Sequence, residues 1–272
     1  MNYIFYIDFI ITVLIIAIII LFLIQSSWLQ RKIVYSNWTR RRFNHSPLDF
    51  NFNKYKYFML NNSISMWYLY TNPNNNSIMY CHGNTGTLSS SRNILFYKLI
   101  LSLHINIYTF DYRGYGQSTD VKITKKTLIE DVLVVYNYIL SHKSKNTKLY
   151  GYGFSLGSAI LATVSNQLYN IAGFIYEAPF SSMQDVVNYK FTKFIKLHED
   201  VSYNNELSLR TCNKPKLILA STNDNVIDIS LTYKLVDSLI NYSFVKVDKS
   251  SHINIFNNNE VVIKLREFLN KN

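Results

Sequence analysis

Seven of the eight glycines in this chain stand in three tight clusters: Gly83 with Gly86, Gly114 with Gly116, and Gly151 with Gly153 and Gly157. Each cluster directly follows a short run of apolar, β-branched and aromatic residues. Such runs occur at residues 63–70, 78–81, 105–110, 148–150, 173–176, 216–220 and 244–247, and they read as strands. From the second onward they alternate with longer stretches of helical period at 88–103, 125–141, 156–168, 231–240 and 261–269. This alternation predicts an α/β fold, a mainly parallel sheet covered by helices on both faces. Ligands of such sheets bind beyond the carboxyl ends of the strands, which is where this chain places its glycine.

Composition narrows the function classes. With 48% hydrophobic and 17% charged residues in 272, the body has too much apolar surface to stay disordered. Two cysteines, Cys81 and Cys212, cannot form a disulfide framework and have no C-x-x-C spacing, which excludes a stapled scaffold and a zinc finger. No metal or cofactor is implied. The net charge is +11, and residues 31–56 carry seven Lys or Arg (Arg31, Lys32, Arg40, Arg41, Arg42, Lys54, Lys56) against Asp49 alone. Such a stretch can meet nucleic acid or anionic lipid, and the residues before it decide between them.

Those residues form an apolar segment. Residues 9–24 read FIITVLIIAIIILFLI, and no charge lies between Asp8 and Arg31. The hydrocarbon core of a bilayer takes about 20 helical residues, so an uncleaved transmembrane anchor over 9–29 is expected, with lipid as its partner and no nucleic acid. The start has no Lys or Arg and no small-residue cleavage site, unlike a signal peptide. Tyr3, Tyr6 and Trp28 fall at interfacial positions. All nearby Lys and Arg follow the span, which predicts a cytosolic bulk, and sequons such as Asn37-Trp38-Thr39 arise by chance in a chain this rich in Asn. The expected organisation is a short flank (1–8), the anchor (9–29), a basic juxtamembrane linker (30–54) and one domain (55–272) with a small lid insertion at about 180–214.

Three sites in the domain carry chemistry. Gly153-Phe154-Ser155-Leu156-Gly157 sits between a strand and a helix, the setting of a serine nucleophile on a sharp turn. Cys81-His82-Gly83-Asn84-Thr85-Gly86 follows an earlier strand, where a loop can supply a backbone N–H to an oxyanion; the expected donors are the amides of Asn84 and Leu156. His82 reads as a structural residue of that loop. The acid and base should follow the serine. Asp224, just past the strand at 216–220, is the expected acid, with Asp228 reading better as a helix cap and Glu177 as a weaker choice. His252 follows the strand at 244–247 and is the only histidine after His198. His45, His104, His142 and His198 fall where solvated or structural roles are expected.

In order and spacing, HGNTG, DYRGYGQS (from Asp111), GFSLG, NDNVID (from Asn223) and SHIN resemble the membrane-anchored αβ-hydrolase-domain serine hydrolases of the ABHD type, over about residues 55–270. The resemblance implies an αβ-hydrolase fold, a Ser155–His252–Asp224 triad, oxyanion donors at Asn84 and Leu156, and a structural role for Asp111 and Arg113. The family usually has glycine before the histidine and Asn-Asp after it; here the segment reads Ser-Ser-His-Ile-Asn. The expected activity is hydrolysis of an acyl ester or thioester at the membrane surface, from a lysophospholipid, a monoacylglycerol or an S-acylated protein. Residues 186–197 form a basic amphipathic pattern, read either as membrane contact or as a lid helix. The competing function is a catalytically silent scaffold or binding protein of the same fold.

Overall fold

The computed structural model describes residues 2–35, 45–191 and 193–271. Its strands are β1 (Tyr55–Leu60), β2 (Ile64–Leu69), β3 (Ser77–Cys81), β4 (Asn106–Phe110), β5 (Leu149–Phe154), β6 (Ile171–Glu177), β7 (Lys216–Ser221) and β8 (Tyr242–Val247). They form one sheet in the order β1-β2-β4-β3-β5-β6-β7-β8. From β4 to β8 every neighbouring pair is parallel, while β1 and β2 add an antiparallel edge. Strands β2 to β5 and β7 are buried along their whole length, because helices cover both faces and leave no side for a polar alternation.

The helices are α1 (Asn2–Gln25), α2 (Ser27–Val34), α3 (Ser91–Ser102), α4 (Lys125–His142), α5 (Leu156–Val164), α6 (Met183–Lys190), α7 (Asn205–Arg210), α8 (Ile229–Val236) and α9 (Asn259–Lys271). Two apolar cores result. Phe96 and Ile100 of α3 and Val261 and Leu265 of α9 pack in one, and Val132 of α4, Ile160 of α5 and Leu235 of α8 pack in the other.

Strand β1 was absent from the expected elements. Its residues alternate poorly, since most are partly or fully exposed at the sheet edge. It turns into β2 through Asn61 and Asn62, both at positive φ, a backbone that asparagine tolerates better than most residues.

The amphipathic helix expected over 186–197 is also corrected. Helix α6 stops at Lys190, and the chain folds back so that Gln184 Nε2 donates to the Ile195 carbonyl at 2.7 Å while the Leu197 amide donates to Gln184 Oε1 at 2.9 Å. A side chain that satisfies both groups removes the need to continue the helix.

At the amino end α1 is one helix of 24 residues. Its described apolar side chains, such as Phe9, Ile10, Leu14, Ile16 and Phe22, are exposed rather than packed on the domain. Among the described residues, no helix is long and apolar enough to cross a membrane. The side chains of Tyr3 and of residues 2, 4, 5, 7, 8, 17, 18 and 21 lie outside the described set, as do Arg40, Arg41, Arg42 and the Asn37–Thr39 sequon. Residues 27–35, expected to belong to the anchor and linker, instead pack on the domain, where Gln30 and Tyr35 are buried.

Candidate active site

Strand β5 ends at Phe154, and Ser155 makes the turn into α5 with φ 53° and ψ −116°. A non-glycine residue at this φ is strained and persists only where its surroundings hold it. One restraint is the Ser155 N–H, which donates to the Glu177 carbonyl of β6 at 2.9 Å. The flanking glycines make room for the turn. A Cβ on Gly153 would lie 2.6 Å from the Gly157 carbonyl oxygen, and a Cβ on Gly157 would lie 2.0 Å from the Cys81 carbonyl oxygen. Helix α5 therefore approaches the end of β3 as closely as backbone permits, bringing the Leu156 amide beside the loop that carries Asn84.

Ser155, His252 and Asp224 come from three separate segments and stand in line. His252 Nε2 is 3.1 Å from Ser155 Oγ, and His252 Nδ1 is 2.7 Å from Asp224 Oδ2. With the carboxylate accepting from Nδ1–H, Nε2 is left to accept from the serine hydroxyl. The second oxygen of Asp224 accepts the amides of Val226 and Ile227, each at 2.8 Å, which fixes the carboxylate plane. The Phe154 ring packs against the His252 imidazole at 5.0 Å between centroids.

The alternative acids are engaged elsewhere. Asp228 caps α8, accepting the Ser230 amide at 2.9 Å, and also accepts from the Tyr189 hydroxyl. Glu177 is fully buried. Its Oε2 pairs with the Arg92 guanidinium and accepts from Tyr152, and its Oε1 accepts the Phe256 amide at 3.0 Å. Arg92 stacks over Phe154 at 3.7 Å and Phe256 at 4.7 Å. Glu177 thus joins the nucleophile turn, through its carbonyl, to the segment that follows His252, through its side chain. Sequence reasoning missed this function, and nothing local signals it, because Arg92 lies 85 residues away.

His82 is buried, with Nδ1 donating to the Gly83 carbonyl at 2.8 Å, and burial lowers its pKa to about 4, so the ring is neutral. Asp111 accepts the amides of Leu88 and Gln117, and burial nonetheless raises its pKa to about 6. Arg113 pairs with Asp131 and Glu130. His142 stacks on Tyr138, His198 caps a short turn, His104 adopts positive φ, and His45 packs against Phe50. None of these histidines reaches Ser155 Oγ.

A cavity of about 380 Å³ opens at Ser155 and His252. Its walls are apolar, from Ile33 and Val34 of α2, Met183, Val186 and Val187 of α6, and Ile227. Such a lining accepts a hydrocarbon chain beside a few polar groups.

A strained serine at the carboxyl edge of this sheet, aligned with an imidazole and a carboxylate, is the architecture of the α/β hydrolases of the serine type. The chain belongs to the hydrolase family described as serine aminopeptidase, S33, whose profile matches residues 72–243. It is 28% identical over 189 residues to the mouse (Mus musculus) lysophosphatidylserine lipase ABHD12, covering 62% of this chain and 47% of that protein. Over 178 residues it is 25% identical to human (Homo sapiens) protein ABHD12B, covering 59% and 49%. The chain thus matches about half the length of these curated relatives. Among solved structures, a Pyrococcus furiosus esterase superposes with a TM-score of 0.71 at 16% identity, over 85% of this chain and 96% of that one. A serine hydrolase without a lid from Xanthomonas campestris gives 0.58 at 15% identity, over 80% and 92%. At these identities the structural likeness shows the fold.

Proposed function

We propose that this chain is a membrane-anchored serine hydrolase that cleaves acyl esters or thioesters of amphiphilic substrates, with a single-chain lysophospholipid as the leading substrate class. The observation that carries the reading is the Ser155–His252–Asp224 line at 3.1 and 2.7 Å, with the serine on a strained turn. Ser155 Oγ attacks the acyl carbonyl as His252 Nε2 takes its proton, and Asp224 orients the imidazole and stabilises its charged form. The amides of Asn84 and Leu156 hold the tetrahedral oxyanion, helped by the positive end of α5. His252 then protonates the leaving oxygen or sulfur, and water, activated by the same imidazole, releases the acyl group from Ser155.

Membrane anchoring, expected over residues 9–29, is supported for the part that lies in α1 by a sequence that is uncharged and, Thr12 apart, apolar from Phe9 to Ile24. Gln25, the last residue of α1, donates to the Phe194 carbonyl, so α1 ends against the loop that bears exposed Phe191 and Phe194 with Lys190, Lys193 and Lys196. Apolar and basic side chains together suit an anionic lipid surface. Arg31, Lys32 and the Arg40–Arg42 run follow the span closely, which favours a cytosolic hydrolase domain over residues 55–272. The ABHD12 relatives, named as lysophosphatidylserine lipases, favour lysophospholipid over the monoacylglycerol and acyl-cysteine alternatives.

The test is fatty-acid release by the detergent-solubilised full chain from lysophosphatidylserine, lysophosphatidylcholine, monoacylglycerol and an S-acylated peptide. Saturable release from at least one lysophospholipid, abolished in Ser155→Ala, is expected. A protein that reacts with a fluorophosphonate yet releases acid from none of the four contradicts the substrate assignment. Alkaline carbonate extraction tests the anchor, with retention in the membrane pellet expected.

A further inference from the structure

Helix α2 reaches both the lid insertion and the oxyanion loop. On the insertion side, Gln30 is 3% exposed; its Nε2 donates to the carbonyls of Ile24 and Lys196 at 3.1 and 2.8 Å, and its Oε1 accepts the His198 amide at 2.6 Å. Arg31 pairs with Asp200 at 2.6 Å. The Tyr35 hydroxyl, just past the helix, donates to the Asp200 carbonyl at 2.7 Å and lies 2.9 Å from the Tyr203 hydroxyl. A buried glutamine is held in one orientation by its partners, since an unmet amide there costs the full desolvation of the group. The insertion thereby sets the position of α2.

On the other side, the Val34 carbonyl accepts from Asn84 Nδ2 at 2.6 Å, and Asn84 Oδ1 accepts from the Tyr115 hydroxyl at 2.9 Å. Asn84 is therefore gripped between α2 and the loop after β4. Ile33 and Val34 also line the cavity at Ser155. Stabilisation of an oxyanion depends steeply on donor placement, and a shift of about 1 Å costs on the order of 10²-fold in rate.

We propose that α2 is a positioning element of the active site: through the Val34 carbonyl it holds the Asn84 side chain, and with it the loop whose amide binds the oxyanion, so that acylation depends on how the segment after α1 is seated. This rests on the hydrolase reading above. Gln30 touches neither the triad nor Asn84, since its side-chain hydrogen bonds go to Ile24, Lys196 and His198.

The test is a double-mutant cycle in the detergent-solubilised full chain, with Gln30→Ala, Asn84→Ala and both together, on a p-nitrophenyl acyl ester. Asn84→Ala keeps the backbone amide and removes the side chain that bonds the Val34 carbonyl and the Tyr115 hydroxyl. Each single variant is expected to lower kcat about tenfold with KM within about twofold, at wild-type end-point fluorophosphonate stoichiometry. The double variant is expected to be no slower than the slower single, because both break one chain of contacts. Wild-type kcat in Gln30→Ala, an effect confined to KM, or losses that multiply to about 100-fold in the double variant would each overturn the proposal. If Gln30→Ala does not fold, Tyr35→Phe takes its place in the cycle with the same expected outcomes. A wild-type protein that takes up no fluorophosphonate overturns the hydrolase reading itself; a labelled wild type with unchanged variants overturns the positioning role alone.

Discussion

Replacing Gly157 by alanine tests how tightly the nucleophile turn is set. The added Cβ would stand 2.0 Å from the Cys81 carbonyl oxygen, 2.6 Å from its carbon and 2.7 Å from the His82 carbonyl oxygen. Carbon and carbonyl oxygen approach no closer than about 3.3 Å, so α5 and the end of β3 must separate by roughly 1.3 Å. All three obstructing atoms are backbone, and no rotamer change relieves them. Overpacking costs about 1–3 kcal/mol, and the upper end is expected here, a fall in melting temperature of roughly 6–12 °C for a domain of this size. The same displacement moves Ser155 and the Leu156 amide by about 1 Å, which lowers the second-order rate of fluorophosphonate labelling on the order of 10²-fold. Gly151→Ala is the control, because its Cβ would meet the Phe174 ring at 2.8 Å and a Leu161 methyl at 3.1 Å, side-chain atoms that can give. It is expected to cost about 1 kcal/mol and to leave the labelling rate within a few-fold. Wild-type melting and labelling in Gly157→Ala would refute the close approach of α5 to β3 and the argument built on it.

Three further outcomes follow from the site. Asp224→Asn should leave the melting temperature nearly unchanged and lower kcat about 10⁴-fold, because an amide can present its N–H to His252 Nδ1 and favour the wrong tautomer; a loss below tenfold would contradict the assigned acid. Breaking the buried Arg92–Glu177 pair with Glu177→Leu alone should cost about 3–5 kcal/mol in a denaturant titration, and adding Arg92→Met should recover much of that loss; a double variant as unstable as the single would contradict it. Burial lowers the His82 pKa from 6.5 to about 4, so the unfolded chain binds the extra proton between those values, and this residue costs stability as pH falls from 6.5 towards 4. Buried Asp111, raised to about 6, has the opposite slope in the same window, so the effect is read as the difference between wild type and His82→Gln. The stability advantage of wild type should shrink by on the order of 3 kcal/mol across that range, and a constant difference would contradict a neutral, buried His82.

The strands that carry Ser155 and Asp224 were legible because a parallel sheet buried on both faces writes itself as short, continuous apolar runs, and glycines mark the turn at Ser155; β8, before His252, is a largely exposed edge strand read from its short run at 244–247 alone. The S33 family match and the sheet order agree with the αβ-hydrolase resemblance. Edge strand β1 was not legible, since its exposed side carries no pattern beyond the Asn61-Asn62 turn. The end of α6 was hidden for a different reason: apolar and basic residues continue at helical spacing past Lys190, but Gln184 captures the chain as it returns. Contacts across long separations left no trace at all. Glu177 meets Arg92 across 85 residues, and Tyr35 meets Tyr203 across 168, so neither the brace beneath the nucleophile nor the packing of α2 on the domain could be read from local spacing.

The most direct measurement of the central claim is fluorophosphonate labelling of the detergent-solubilised full chain, comparing wild type with Ser155→Ala and His252→Ala. Stoichiometric labelling of wild type, absent in Ser155→Ala and slowed by several orders of magnitude in His252→Ala, is the predicted result, since the serine needs the imidazole at 3.1 Å to give up its proton. A folded wild-type protein that takes up no probe, or one labelled equally in Ser155→Ala, would contradict the assignment of Ser155 as an activated nucleophile and leave the fold as a binding scaffold.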